Sequence, residues 1–344
     1  VNIVICHTQV PYVTGGAEVL VNGLSAALRE HGHAVELVQM PFKWYPAANL
    51  AKQALLWRSL DLEKLGGRTI DLVICTKFPS WAVRHPHKIV WLVHQHRQAY
   101  DWYGTEYSDF SLNETDRRAR RLIVETDNLG LGEASAIFTI SKNVANRLHY
   151  YNALQGRPLY PPTAHNLFHH KSYGDYIFSI GRLDRAKRLD ILLHALKLTN
   201  SKVRAIIAGS GNEHEKIKAQ AKAAGLANRV EFVGRVSDEQ AIELYAEALA
   251  VFYAPKDEDY GYVTIEAMRS QKPVLTAPDS GGVLEFVRDG ENGFICDSSA
   301  AFAAALDKLY YDRDLATRLG SQGRLDAAIV PDWAEVARRL TQLD

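Results

Sequence analysis

The sequence predicts an α/β protein of two doubly wound domains in series, facing each other across a cleft. Three observations carry this. Short β-branched runs alternate with amphipathic stretches along the chain, and the alternation breaks once near the middle before starting again. A length of 344 residues also exceeds the size at which one hydrophobic core usually stops growing.

The elements follow in order. Val1 to Cys6 (VNIVIC) reads as a strand, HTQVPYVTGG as a polar turn, and about Ala17 to His31 as an amphipathic helix. After the turn at Gly32 and His33 comes the strand AVELVQM. The apolar runs DLVICT (71–76) and KIVWLV (88–93) have the character of fully buried parallel strands. Ser135 to Ile140 gives another strand, and SKNVANRLHYY a helix with Ser141 at its N-cap. Leu159 to Lys171 (LYPPTAHNLFHHK) has two prolines and little periodicity, which places the domain boundary there.

The expected division is 1–165, a first Rossmann-like domain, 166–330, a second, and 331–344, a terminal helix beginning near Pro331 and Asp332 that can return to the first domain. In the second domain YIFSIG opens a new unit. Strands at 203–208, 230–233, 250–254 and 273–276 alternate with helices at about 187–199, 213–224, 238–248 and 262–270. This predicts right-handed crossovers, a second parallel sheet and ligand crevices at the carboxyl ends of the strands.

Composition narrows the function classes. With 47% hydrophobic and 23% charged residues the chain reads as soluble and globular. Forty Lys plus Arg balance forty Asp plus Glu, so no bulk field steers the molecule to nucleic acid or anionic lipid, and any anion site must be local. Residues 1–165 hold 17 basic and 14 acidic groups, too mild an asymmetry to name a partner. Cys6, Cys75 and Cys296 are odd in number and far apart, which argues against a disulfide framework or thiolate metal site and fits a reducing compartment. No run is long enough for a membrane span, and the start at Val1 lacks a signal-peptide pattern, so the expected location is cytoplasmic. Peripheral attachment at the inner face of a membrane stays open, and the sequence sets no oligomeric state.

Several residues could carry chemistry. In FSIGRLDRAKRLD, Gly181 and Arg182 follow a strand and Lys187 opens the next helix; two cations beside helix amides suit a diphosphate, although solvated surface charges are the alternative. Arg185 and Arg188 are expected to face solvent. Gly209, Ser210 and Gly211 could let backbone approach a nucleotide or form a plain tight turn, and Phe232, Val233 and Gly234 could hold a base or belong to the core. In APKDEDYGYVTIEAM, Glu258 sits in an acidic loop, while Glu266 interrupts an apolar helix and needs a partner or a ligand hydroxyl. Carboxylates accept sugar hydroxyls well; a solvated loop and a buried salt bridge are the respective alternatives.

In the first domain Gly15 and Gly16, with Glu18, could bring amides to a phosphate or to an acceptor, or form a bland turn. His94 and His96 stand beyond the WLV strand; no third ligand lies near, so a substrate role is preferred for His94 over metal binding, and a satisfied surface histidine is the alternative for His96. DWYGTEYSDF, with Trp44, Tyr45 and Trp57, could stack on a sugar acceptor or simply pack. Arg117, Arg118, Arg120 and Arg121 form the densest basic patch, with an anionic acceptor or membrane as its functional reading and a paired helix face as the default.

TGGAE, SIGRLDRAKRLD, AGSGNE, DEDYGYVTIEAM and PDSGGVLEFVRDGENGF together resemble glycosyltransferase family four, the retaining, nucleotide-sugar-dependent enzymes of the GT-B fold, over most of the chain. The resemblance implies an acceptor-side first domain and a donor-binding second. It implies Glu258 at the donor hexose, Glu266 at the nucleotide ribose, and Arg182 and Lys187 at the diphosphate. Gly16 is then expected near the donor phosphate and the acceptor cleft, His94 near the transferred sugar and Ser141 near the end of the first domain's site. By the same likeness Gly209, Gly211, Phe232, Val233, Tyr260, Gly261, Tyr262 and Val263 join the donor set, and Glu258, His94, Arg182 and Lys187 the catalytic one. Ser270 and Gln271 before K-P-V, and the form of TAHNLF, depart from the family pattern.

The implied reaction moves a hexosyl unit to a glycan, lipid-linked or small-molecule hydroxyl, passing through an oxocarbenium-like sugar, with no metal or other cofactor required and with attack from the face the diphosphate leaves. Glu258 is not assigned as a covalent nucleophile, since both carboxylates fall in the nucleotide half. A nucleotide-sugar epimerase and a noncatalytic glycan-binding protein are the competing classes.

Overall fold

The computed structural model describes residues 1–13 and 15–342; Thr14, in the TGGAE stretch, and Leu343 and Asp344, at the end of the expected terminal helix, lie outside the described residues. The chain divides into two compact units, residues 1–164 with the chain end from Val330, and His165–Ile329.

The first unit runs β1 (Asn2–Gln9), α1 (Gly16–Glu30), β2 (Ala34–Pro41), α2 (Ala48–Arg58), the short hairpin β3 (Lys64–Leu65) and β4 (Arg68–Thr69), then β5 (Leu72–Cys75), β6 (Lys88–Leu92), α3 (Glu114–Gly132), β7 (Ala136–Thr139), α4 (Lys142–Asn152) and β8 (Arg157–Pro158). Six parallel strands form one sheet in the order β2-β1-β5-β6-β7-β8. Ile3 to Cys6, Val73 to Cys75 and Ile89 to Leu92 are buried throughout, as continuous apolar strands covered on both faces must be. The order reverses between β1 and β5, which makes the loops after these strands the switch point of this sheet.

The second unit runs β9 (Tyr176–Ile180), α5 (Leu189–Leu198), β10 (Arg204–Ala208), α6 (His214–Ala223), β11 (Val230–Gly234), α7 (Asp238–Glu247), β12 (Ala250–Phe252), α8 (Tyr262–Arg269), β13 (Val274–Thr276), β14 (Gly293–Ile295), α9 (Ser299–Tyr311) and α10 (Arg313–Asp326). Its parallel sheet has the order β11-β10-β9-β12-β13-β14, the doubly wound arrangement, with the reversal between β9 and β12. Strand β9 is buried from Tyr176 to Ser179 because it is central and carries helices on both faces.

The last helix, α11 (Trp333–Thr341), belongs to the first unit. Asp332 caps it by accepting from the Glu335 amide at 2.8 Å. Trp333 fills the space left by Gly23 of α1, where a Cβ would stand 2.1 Å from the indole, and meets Trp91 edge-on at 6.3 Å.

Three elements have weak signals. Helix α2 buries Leu50, Ala54 and Trp57 but exposes Leu55 and Leu56, so apolar residues fall on both faces and the periodicity blurs. Strands β8 and β14, of two and three residues, are too short to show a pattern.

Candidate functional site

In the second unit the loops after β9 and β12 flank the switch point, and a shallow surface recess opens there, lined by Ser179 to Leu183, Lys187, Leu189, Phe252 and Tyr253. Two glycines shape it. A Cβ on Gly209, at φ +121°, would lie 1.8 Å from the Gly181 carbonyl oxygen, and one on Gly211 would lie 2.2 Å from that of Leu183. The glycines therefore let the loop after β10 pack backbone to backbone against the loop after β9, where Leu183 N donates to Ser210 O at 3.0 Å.

Arg182 and Lys187 both line the recess but stand differently. Arg182 is 67% exposed, with Asp184 at 3.8 Å, so its guanidinium is available to an anion. Lys187 forms an ion pair with Glu258, each side chain 22% exposed, and its ammonium lies over the Tyr253 ring at 5.4 Å. Burial alone would lower the lysine pKa, but the Glu258 carboxylate outweighs it and holds the ammonium above the usual lysine range. Lys187 sits in a single 3-10 turn, Arg185–Lys187, and not at the helix start the sequence suggested; α5 begins two residues later.

The acidic loop that carries Glu258 is laid against the loop after β13. Glu258 N donates to Ser280 O at 3.2 Å and Gly282 N to Glu258 O at 2.8 Å, and a Cβ on Gly282 would reach within 2.5 Å of Asp259 O. Arg188, expected to face solvent, instead binds these loops together. Its positive φ of 50° opens α5 with a left-handed residue, and its guanidinium donates to Ala254 O at 2.7 Å, Pro255 O at 3.0 Å and both Asp279 oxygens at 2.9 and 2.7 Å. Burial acts to raise the Asp279 pKa, but Arg188 and Lys256 overcome it and hold the carboxyl down to about 2.

Glu266 lies on α8, which starts at Gly261 with φ +86°; a Cβ there would press within 2.9 Å of the Tyr253 ring. Ile265 and Ala267 are buried beside it and Val263 is half-buried. The Tyr245 hydroxyl donates to Glu266 Oε2 at 2.8 Å. Burial pushes the Glu266 carboxyl above the usual range, and this hydrogen bond pulls against that shift. Tyr262 meets Tyr260 edge-on at 5.2 Å, and its buried hydroxyl oxygen has no hydrogen-bond partner among the described residues; Tyr260 itself is buried against Phe286 at 5.5 Å. Phe232 packs on the core and edge-on against His214 at 5.8 Å, and Val233 beside it is half-buried.

In the first unit Gly15 and Gly16 open α1, and Gly15 N donates to Glu18 Oε2 at 2.7 Å. The other Glu18 oxygen stands 3.5 Å from Nε2 of buried His7, whose Nδ1 pairs with Thr76 Oγ1 at 2.9 Å. Burial would raise the Glu18 pKa, but His7, Lys77 and the Gly15 amide lower it. The Gly15–Gly16 turn thus rests on a buried chain that the sequence did not reveal.

His94 is half-buried, with Nδ1 2.5 Å from the Gln95 carbonyl. His96 is not a surface residue: it is buried among Phe42, Phe78 and Phe110, and burial brings its pKa down to about 3, so it is neutral. Among the described residues no group of three or more His, Cys, Asp or Glu is arranged to hold a metal. Ser141 caps α4, accepting from Val144 N at 3.0 Å, and is fully buried. Trp57 is core, not an exposed wall, whereas Trp44 and Tyr45 are exposed. In the arginine patch Arg121 pairs with Glu114 at 3.0 Å, and Arg120 donates to Ala99 O at 2.8 Å.

Tyr245, Tyr253 and Arg188 were missed because a tyrosine on the buried face of a charged helix or just past a strand end, and one arginine among several, carry no sequence pattern of their own.

Two doubly wound sheets, with a cation and carboxylate set at the second switch point, define a protein of the GT-B fold, and comparison with known proteins places it further. Residues 166–326 match the sequence model of the glycosyl transferases group 1. This match covers nearly all of the second unit, His165–Ile329. The human alpha-1,3/1,6-mannosyltransferase ALG2 is 32% identical over 43% of this chain, and the match spans 39% of that protein. The mouse ALG2 is 24% identical over 91% of this chain and 89% of its own length. The fold extends over the whole chain: sucrose-phosphate synthase from Thermosynechococcus elongatus superposes with a TM-score of 0.79 at 18% identity, covering 98% of this chain and 97% of that one. Anabaena Alr3699/HepE, in complex with UDP and glucose, does so at 0.72 and 20% identity, covering 98% of each.

Proposed function

We propose that the protein is a retaining glycosyltransferase that moves a hexosyl unit from a nucleoside-diphosphate sugar to an acceptor hydroxyl on a glycan, a lipid-linked carrier or a small molecule. The observation that carries this reading is the Lys187–Glu258 ion pair beside exposed Arg182 at the β9/β12 switch point. A diphosphate arriving there meets two cations held for it. Lys187 remains charged at any physiological pH, and taking up a phosphate oxygen releases Glu258 to accept hexose hydroxyls. Glu266, steadied on one oxygen by Tyr245, keeps its other oxygen for the ribose.

Bond breaking puts negative charge on the departing diphosphate, where Arg182 and Lys187 stabilise it. The acceptor oxygen attacks the sugar carbon from the face the diphosphate leaves and passes its proton to the leaving phosphate, so the configuration is retained and no covalent sugar on Glu258 forms. By family likeness Gly16 is assigned near the donor phosphate and the acceptor cleft, His94 near the transferred sugar, and Ser141 near the end of the first unit's site. The reaction belongs on the cytoplasmic side, with peripheral attachment to the membrane when the acceptor is lipid-linked.

A panel of nucleotide sugars tests this, with nucleoside diphosphate release followed with and without acceptors. Acceptor-dependent release from one donor is the expected result. Conversion of the donor sugar without an acceptor would mean an epimerase, and glycan binding without turnover a binding protein.

A further inference from the structure

One exposed face of the first unit combines large apolar side chains with cations and is unused by the donor chemistry. On α2, Lys52, Leu55 and Leu56 lie along one stripe, with Leu55 67% and Leu56 57% exposed. The loop before the helix is fastened beside that stripe: Lys43 N donates to Gln53 Oε1 at 3.0 Å, and Gln53 Nε2 donates to Lys43 O at 2.6 Å. Trp44 and Tyr45, edge-on at 5.2 Å and both exposed, follow directly in the loop so tied to Gln53, which lies one turn before Leu56, and the Lys43 ammonium stands 4.7 Å over the Tyr45 ring. No acidic residue occurs from Leu37 to Leu60. Of the cations in that span, Arg58 is taken by Glu133, whereas Lys43 and Lys52 are exposed.

Exposed leucines cost solvation unless something covers them, and a contiguous group of them marks an interaction surface. A glycan is a poor match, because the span offers no carboxylate for sugar hydroxyls and aliphatic side chains do not stack on sugar rings. A lipid surface matches each component: leucines enter the acyl boundary, Trp and Tyr settle at the headgroup level, and the unopposed lysines meet anionic headgroups. We propose that the face formed by Lys43 to Tyr45 and the Lys52–Leu56 stripe docks on a membrane surface containing anionic lipid. The proposal rests on the reading of peripheral attachment and not on the donor site. It also moves the membrane contact away from Arg117 to Arg121, where Glu114 and a backbone carbonyl engage two of the arginines.

Sedimentation with vesicles tests it, comparing phosphatidylcholine alone with equal parts phosphatidylcholine and phosphatidylglycerol. Binding to the anionic vesicles at least about ten-fold tighter, and weakening with salt, is expected. The paired substitutions Leu55→Gln with Leu56→Gln, and Lys43→Gln with Lys52→Gln, should each lower that binding about ten-fold. Their circular dichroism should match the wild type, as should donor-dependent diphosphate release with a soluble acceptor. A wild type that stays in the supernatant, or variants that sediment as it does, would overturn the proposal. So would a fall in molecular mass by light scattering on the leucine substitutions, which would put a second copy of the chain on this face. Vesicle binding with the expected variant losses, but without turnover on any donor, would uphold this surface while refuting the transferase reading.

Discussion

Tyr245 of α7 donates its hydroxyl to Glu266 Oε2 of α8 at 2.8 Å. The tyrosine is buried, its ring edge-on to Phe178 at 4.9 Å and to Phe168 at 5.8 Å, so its position is set by the core and it sets the carboxylate in turn. A hydrogen bond to a charged group contributes about 1.5–3 kcal/mol. Tyr245→Phe should therefore raise the KM for the donor by about ten-fold or more with kcat changed little, because the bond orients Glu266 in ground and transition states alike. Steady-state kinetics on the matched donor check this, and an unchanged KM would remove Tyr245 from the site.

Arg188 joins the loops after β12 and β13 through Asp279 and two carbonyls. Arg188→Ala leaves the Ala254 and Pro255 carbonyls without this donor and Asp279 with Lys256 alone, and should destabilise the second unit by about 2–3 kcal/mol. It should also weaken donor binding, because Glu258 is carried by the same loop. Urea unfolding and donor titration on one preparation measure both effects; Arg188→Lys, which cannot reproduce the bidentate fork, should recover only part of either.

His96 and Asp127 give the first unit opposing pH responses. Burial lowers the His96 pKa from 6.5 to about 3, so between these values the unfolded chain takes up a proton that the folded one does not, and stability falls as the pH falls. Burial raises the Asp127 carboxyl from 3.8 to about 7 against the hydrogen bonds from Tyr100 and Trp81, so there the folded state keeps the proton and stability falls as the pH rises. Over the shared window the two slopes, each about 1.4 kcal/mol per pH unit, offset one another. His96→Phe should expose the Asp127 slope: the first unit becomes less stable from pH 4.5 to pH 6.5, by roughly 1.4 kcal/mol per unit. Denaturant melts at the two pH values check this.

The fold was legible because burial on both faces makes parallel strands continuous apolar runs, as at Ile89 to Leu92 and Ile177 to Phe178. Helix α2 escaped because Leu55 and Leu56 point away from the core that Leu50, Ala54 and Trp57 enter. At the site, charges could be read but not their partners. Arg182, Lys187, Glu258 and Glu266 stand out as ionic groups beside apolar strands, whereas the pairing of Lys187 with Glu258 joins residues far apart in the chain. Arg188 was misjudged for a related reason: its neighbours in sequence are charged, and only its left-handed backbone turns the side chain onto Asp279. The glycines at 209 and 211 signal close approach without saying to what, and the neighbour proves to be the 181–183 backbone.

The central claim is that Glu258, paired with Lys187, receives the sugar of the donor. Diphosphate release by Glu258→Gln, with the matched donor and acceptor, tests it most directly beside a thermal melt of the same sample. The substitution keeps the shape and removes the charge, so turnover should fall by about a hundred-fold or more while the melting temperature stays within a few degrees of the wild type. Turnover equal to that of the wild type would contradict the assignment.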